Sequence, residues 1–214
     1  MAINKKYTPL SEAILSSFCL MIFSYFIHSG FPERIISFAA LLVPAYIFGK
    51  NLQSLFDFRK TTWTLSSLLI LQIYNIAGFL AGMLLAMAYR WYLGISLLPF
   101  SGPHYFIIAA CMIGALEELV FRGFIQENAK RINAPFSVFF GALSHTGYKC
   151  CLFIAPLAAA DIDIKFLALW TFGAGIVFGS LKHFSKSISP PLIAHVIFDL
   201  FVYAEFVHAP WWVW

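Results

Sequence analysis

Long apolar runs, each of about 20 residues, recur along this chain and are separated by short polar turns. An α-helix needs that length to cross the hydrocarbon core of a bilayer, and only 11% of the residues are charged, against about 25% in soluble domains. Hydropathy therefore predicts an all-α fold: a polytopic transmembrane helical bundle of about seven helices, forming a single integral membrane domain over residues 1–214. The predicted spans lie near 11–29, 35–56, 64–89, 104–126, 135–157, 163–182 and 189–208.

Lysine and arginine are distributed unevenly between the predicted turns, and this bias sets the expected orientation. With a cytoplasmic N-terminus, nine of them lie at the inner side: Lys5, Lys6, Lys50, Arg59, Lys60, Lys130, Arg131, Lys182 and Lys186. The outer side then holds three: Arg34, Arg90 and Lys165. The bias predicts a multi-pass protein of the cell membrane with its N-terminus in the cytoplasm. Because the basic residues are scattered and the net charge is only +4, no nucleic-acid partner is expected.

The most unusual segment is Gly114–Arg122, which lies inside the fourth apolar run. It contains Glu117, Glu118 and Arg122, and each ionised side chain near the centre of a membrane helix costs about 2.5–3.5 kcal/mol on insertion scales. Glu118 and Arg122 are four residues apart, so they share a helix face and are predicted to pair. Glu117 lies about 100° round the helix from Glu118 and is predicted to face a cavity. Such a costly arrangement indicates a functional site.

Two histidines are predicted to lie at a similar depth in later spans. Counted from the inner ends of their spans at about 1.5 Å per residue, Glu117, His145 and His195 lie roughly 9–15 Å below the cytoplasmic surface. His195 and Asp199 are four residues apart, so Asp199 is predicted to accept a hydrogen bond from the imidazole and fix its tautomer. A buried carboxylate with two histidines suits general acid–base activation of a water molecule.

The order of these residues resembles the pattern of a known family. Glu-Glu-x-x-x-Arg in one membrane helix, His in a following helix and His-x-x-x-Asn/Asp in a later one is similar to the CAAX prenyl endopeptidase type II and bacteriocin-processing family of intramembrane glutamate proteases. The elements in this chain are Glu117, Glu118 and Arg122; His145; and His195 and Asp199. The resemblance covers about residues 104–204, the expected catalytic core, whereas residues 1–103 hold N-terminal helices without the motif.

The resemblance implies an intramembrane endopeptidase that hydrolyses a peptide bond. By analogy, Glu117 and His145 activate the attacking water, and His195 and Asp199 stabilise the oxyanion. Glu118 and Arg122 would hold the helix and shape the site. The implied partners are the lipid bilayer and a membrane-associated protein or peptide substrate. Prenylated CAAX-type tails are among the candidate substrates. No cofactor is expected.

Two positions depart from the family pattern. Many members have Asn where this chain has Asp199, and the family often has Phe where this chain has Gly141. Because an ionised carboxylate cannot donate to an oxyanion, Asp199 must be protonated or must only orient and charge His195. The position of Lys149, one turn after His145, is equally compatible with snorkelling to the membrane surface, with pairing to an acidic side chain and with contact to the substrate.

Two other functions stay open at the level of sequence. Glu117, His145 and His195 would make a chemically sensible three-ligand site for a zinc hydrolase, although the chain contains no His-Glu-x-x-His element. A non-catalytic scaffold or proton-coupled carrier would hold the same residues as a buried polar network. For Gly78 and Gly82, which form a G-x-x-x-G pattern, close helix packing within the bundle is predicted rather than dimerisation.

Overall fold

The computed structural model describes residues 8–55, 65–99, 104–155 and 163–205, and these residues are all-α, as predicted. The first helices are α1 (Thr8–Phe26), α2 (Glu33–Leu55) and α3 (Leu65–Tyr92). Next, α4 (Phe106–Glu118) continues directly into a π-helical segment (Leu119–Gln126) and α5 (Glu127–Ala129). The last helices are α6 (Ala134–Ile154), α7 (Ile164–Ser185) and α8 (Ser189–Tyr203). The described residues therefore form seven continuous helical stretches, each overlapping one predicted span.

Three of these helices, α1, α3 and α7, are long and apolar enough to cross a membrane. The helix α8 is apolar but only 15 residues long, and α4 ends after 13 residues, where the π-helical segment begins. Four basic residues used for the orientation lie outside the described residues: Lys5, Lys6, Arg59 and Lys60. The cytoplasmic N-terminus and the number of crossings stay predictions.

The chain divides into two compact units, of which the first comprises Met1–Thr61 and Gly123–Ile176. In this unit α1 packs against α2 and α6. A small polar contact joins α1 to α6, since Ser17 Oγ donates to Ser144 Oγ at 3.0 Å. Gly147 faces Met21 so closely that a Cβ at that position would overlap the methionine side chain. This packing fixes the turn of α6 that carries His145.

The second unit comprises Thr62–Arg122 and Val177–Trp214, and in it α8 packs against α3 and α4. The buried residues of α3 are four apart along one stripe of the helix: Gly78, Gly82, Ala86 and Arg90. A Cβ added to Gly78 would lie 3.0 Å from the carbonyl carbon of Pro190, and one added to Gly82 would lie 2.9 Å from Cα of Ala194. The predicted close packing of the two glycines is confirmed, and their partner is α8.

Both ends of α8 are hydrogen-bonded to α3. At the start, Ser189 Oγ donates to Asn75 Oδ1 at 2.8 Å. At the end, the Arg90 guanidinium donates to the carbonyl oxygen of Phe201 at 2.8 Å and to Glu205 Oε2 at 2.6 Å. The sequence places Arg90 in a turn, whereas the structure buries it completely in the last turn of α3, because its guanidinium binds the end of α8. These contacts fix the position of α8 along α3.

Candidate active site

The two glutamates stand where the helical geometry changes. Glu117 and Glu118 are the last residues of α4, and Arg122 lies in the π-helical segment that follows. The exposed fraction is 6% for Glu117 and 0% for both Glu118 and Arg122. Single π-helical turns inside α-helices occur frequently at functional sites. No local sequence signal marked this change of helix type.

The predicted pair between Glu118 and Arg122 is confirmed. Arg122 Nε lies 3.4 Å from Glu118 Oε2, and both side chains are fully buried. Removing either partner would leave the other buried charge without its ion-pair partner, which destabilises far more than losing an exposed ion pair does. The pair therefore anchors the segment that carries both glutamates.

The other carboxylate oxygen of Glu118 binds the histidine of α8. Glu118 Oε1 and His195 Nδ1 are 2.8 Å apart, a hydrogen-bond distance. The spacing within α8 predicts Asp199 as the partner of the ring, but Asp199 Oδ2 lies 3.8 Å from His195 Nε2, beyond hydrogen-bond length. The prediction named the wrong partner, because α4 packs against α8 and brings Glu118 to the ring from a neighbouring helix. Glu118 thus binds both Arg122 and His195.

Two further carboxylates face the opposite nitrogen of the same ring. Glu117 Oε2 and Asp199 Oδ2 each lie 3.8 Å from His195 Nε2. Gly114, one turn before Glu117, makes room for this arrangement. A Cβ at Gly114 would overlap Asp199 Oδ2 and would lie 3.0 Å from His195 Cδ2. Sequence reasoning missed this role for Gly114, because it depends on contact between two helices.

The structure therefore collects five of the six predicted motif residues within the second unit: Glu117, Glu118, Arg122, His195 and Asp199. The sixth, His145, lies on α6 in the first unit and is 4% exposed. Its participation stays a prediction. Lys149 Nζ lies 5.8 Å from the ring centroid of Tyr148, its neighbour in sequence.

Among the residues that the structure describes, no three or more His, Cys, Asp or Glu side chains are arranged to hold a metal ion. The zinc alternative stays a question for a metal assay on the protein.

Comparison with known proteins gives one family. Residues 99–201 match the family model described as type II CAAX prenyl endopeptidase, Rce1-like. No curated protein and no solved structure matches the chain. The matched segment begins before α4 and ends inside α8, so it contains all six motif residues. The resemblance drawn from the sequence is thereby confirmed.

Proposed function

Residues 99–201 of this chain match the Rce1-like family of type II CAAX prenyl endopeptidases, and we propose that the protein hydrolyses a peptide bond with a water molecule activated by Glu117. One observation carries the proposal. Glu117 and Asp199 face the same nitrogen of a buried imidazole, each at 3.8 Å, from two packed helices. With three apolar helices of membrane-spanning length and this family, the chain is a membrane protein.

Glu117 is the proposed general base. Its carboxylate takes a proton from water, the resulting hydroxide attacks the scissile carbonyl carbon, and the same proton then passes to the departing amine. A positioned acid–base group of this kind contributes about 10²- to 10⁴-fold to the rate. The assignment of His145 as a partner of Glu117 in this step follows from the family resemblance alone.

His195 and Asp199 are the proposed oxyanion donors. Because Nδ1 of His195 is bound to Glu118, the ring donates from Nε2 only when it is the doubly protonated imidazolium. Charge balance then assigns a proton to Asp199. The charge of Glu118 is balanced by Arg122, and the charge of Glu117, which must be ionised to act as a base, is balanced by the imidazolium. Asp199 is the remaining carboxyl group, so it leaves no excess negative charge only when it is protonated. A protonated Asp199 donates as the asparagine of other family members would.

The proposed substrate is a membrane-associated protein or peptide of the CAAX type. A direct test uses the purified full chain in proteoliposomes and a fluorogenic prenylated CAAX-type peptide. Glu117→Gln keeps the shape of the side chain but removes the base, so kcat should fall by about 100-fold or more. A Glu117→Gln protein that folds and cleaves at the wild-type rate would contradict the proposal.

Glu12→Gln is the matched control for this test. It makes the same chemical change in α1, where the Glu12 carboxylate lies 3.1 Å from Lys50 Nζ; the lysine side chain is 55% exposed and the glutamate side chain 17%. Ion pairs that reach solvent contribute about 0–1 kcal/mol, so both stability and kcat should stay close to wild type.

A further inference from the structure

We propose that Phe178 and Glu118 are positioning residues that commit His195 to act through Nε2. Neither is assigned to the chemical step above. The inference rests on the proposed role of His195, but the arrangement of the ring is tested by a measurement that needs no substrate.

The contacts around His195 form a closed loop. Glu118 binds the imidazole at 2.8 Å and the Arg122 guanidinium at 3.4 Å. Arg122 Cζ lies 5.8 Å from the ring centroid of Phe178, within the range of a cation–π contact. The Phe178 ring in turn lies 5.5 Å from the His195 ring, with an angle of 39° between the two planes. Each member thus contacts two others, and Phe178 is only 3% exposed.

Two separate contacts are needed to orient an imidazole. The imidazole turns about its Cβ–Cγ bond, and the hydrogen bond at Nδ1 is one restraint on that rotation. A large side chain packed beside the ring adds a second restraint. Phe178 provides this contact from α7, whereas Glu118 provides the hydrogen bond from α4. With both in place, Nε2 is directed at Glu117 and Asp199.

The same contacts select one tautomer. A carboxylate paired with a guanidinium is ionised and can only accept hydrogen bonds, so Nδ1 of His195 must donate to Glu118. In the neutral ring the proton therefore resides on Nδ1, and Nε2 carries the lone pair. All further proton exchange by His195 then takes place at Nε2, beside the proposed base.

A kinetic test uses Phe178→Leu, which keeps an apolar side chain but removes the flat ring. If Phe178 orients His195, kcat should fall about 10- to 100-fold with little change in KM, because misplacement of a catalytic group by about 1 Å costs up to about 100-fold. Phe166→Leu is the matched control on the same helix, since it removes an aromatic stack with Trp170. It should leave kcat at the wild-type level. Wild-type kcat in Phe178→Leu, or an equal loss in Phe166→Leu, would refute the positioning role.

The tautomer is tested directly by NMR on the full chain in micelles, with ¹⁵N-labelled histidine and the His195 signals identified by their loss in His195→Asn. Two-bond ¹⁵N–¹H correlations should show the proton on Nδ1 when the ring is neutral. The double variant Glu118→Leu/Arg122→Met removes both charges together, so no buried charge is left alone, and it should lose this preference. A neutral ring that carries its proton on Nε2 in the wild type, or an unchanged tautomer in the double variant, would overturn the inference.

The two proposals fail in different ways. If Glu117→Gln kept full activity while His195 carried its proton on Nδ1, the proposed function would be wrong and the orientation of the ring would stand. If Glu117→Gln were inactive and the neutral His195 ring carried its proton on Nε2, the proposed function would stand and the orientation of the ring would be wrong.

Discussion

Gly114→Ala is the smallest change that should separate activity from stability. The added Cβ would overlap Asp199 Oδ2 and would lie 3.0 Å from His195 Cδ2. Ordinary carbon–carbon contact is about 3.5–4.0 Å, so the imidazole must retreat by about 0.5 Å or more, and the Asp199 carboxyl group must move further. Both groups are proposed to contact the oxyanion. A shift of this size predicts a loss of about 10- to 100-fold in kcat.

The effect of Gly114→Ala on stability should be small by comparison. Overpacking costs about 1–3 kcal/mol, while replacing a helical glycine by alanine recovers up to about 1 kcal/mol. Gly173→Ala on α7 is the matched control, because a Cβ there meets nothing within 4 Å. Thermal unfolding and peptide cleavage should be measured on both variants. The reasoning is refuted if Gly114→Ala cleaves at the wild-type rate, or if Gly173→Ala loses as much activity.

Three further predictions follow from the same contacts. Arg122→Ala should destabilise the fold by about 3–5 kcal/mol, because it removes the guanidinium that balances the charge of the buried Glu118 carboxylate. An unchanged unfolding temperature would contradict this. Asp199→Asn should retain cleavage, because the amide also donates a hydrogen bond, whereas Asp199→Ala should lose it. Equal loss of cleavage in both variants would contradict hydrogen-bond donation by Asp199 and would indicate that its negative charge is needed. The orientation is tested in sealed vesicles with single cysteines placed in a chain whose native cysteines have been replaced. A membrane-impermeant thiol reagent should label Arg131→Cys from the cytoplasmic side and Glu33→Cys from the opposite side. The opposite labelling would reverse the orientation.

The helices could be predicted from the sequence because hydropathy and length act along one segment at a time. The run near 64–89 corresponds to α3 (Leu65–Tyr92), and the run near 163–182 corresponds to α7 (Ile164–Ser185). The pair of Glu118 and Arg122 was predictable for the same reason, since both residues lie on one face of one helical stretch.

The contacts between helices could not be predicted in this way. His195 binds Glu118 rather than Asp199 because α4 packs against α8, and no spacing within α8 encodes that packing. The roles of Gly114, Phe178 and Arg90 depend likewise on which helix lies beside each of them. Glycines were the exception: the pattern of Gly78 and Gly82 predicted close packing between helices, although it did not identify α8 as the partner.

The most direct test of the central claim is cleavage of a prenylated CAAX-type peptide by metal-stripped wild type and Glu117→Gln, measured side by side in proteoliposomes by mass spectrometry of the products. We predict that the stripped wild type cleaves one peptide bond and that Glu117→Gln is slower by about 100-fold or more. Equal rates for the two proteins, or activity that is lost on stripping and restored by zinc, would contradict the account.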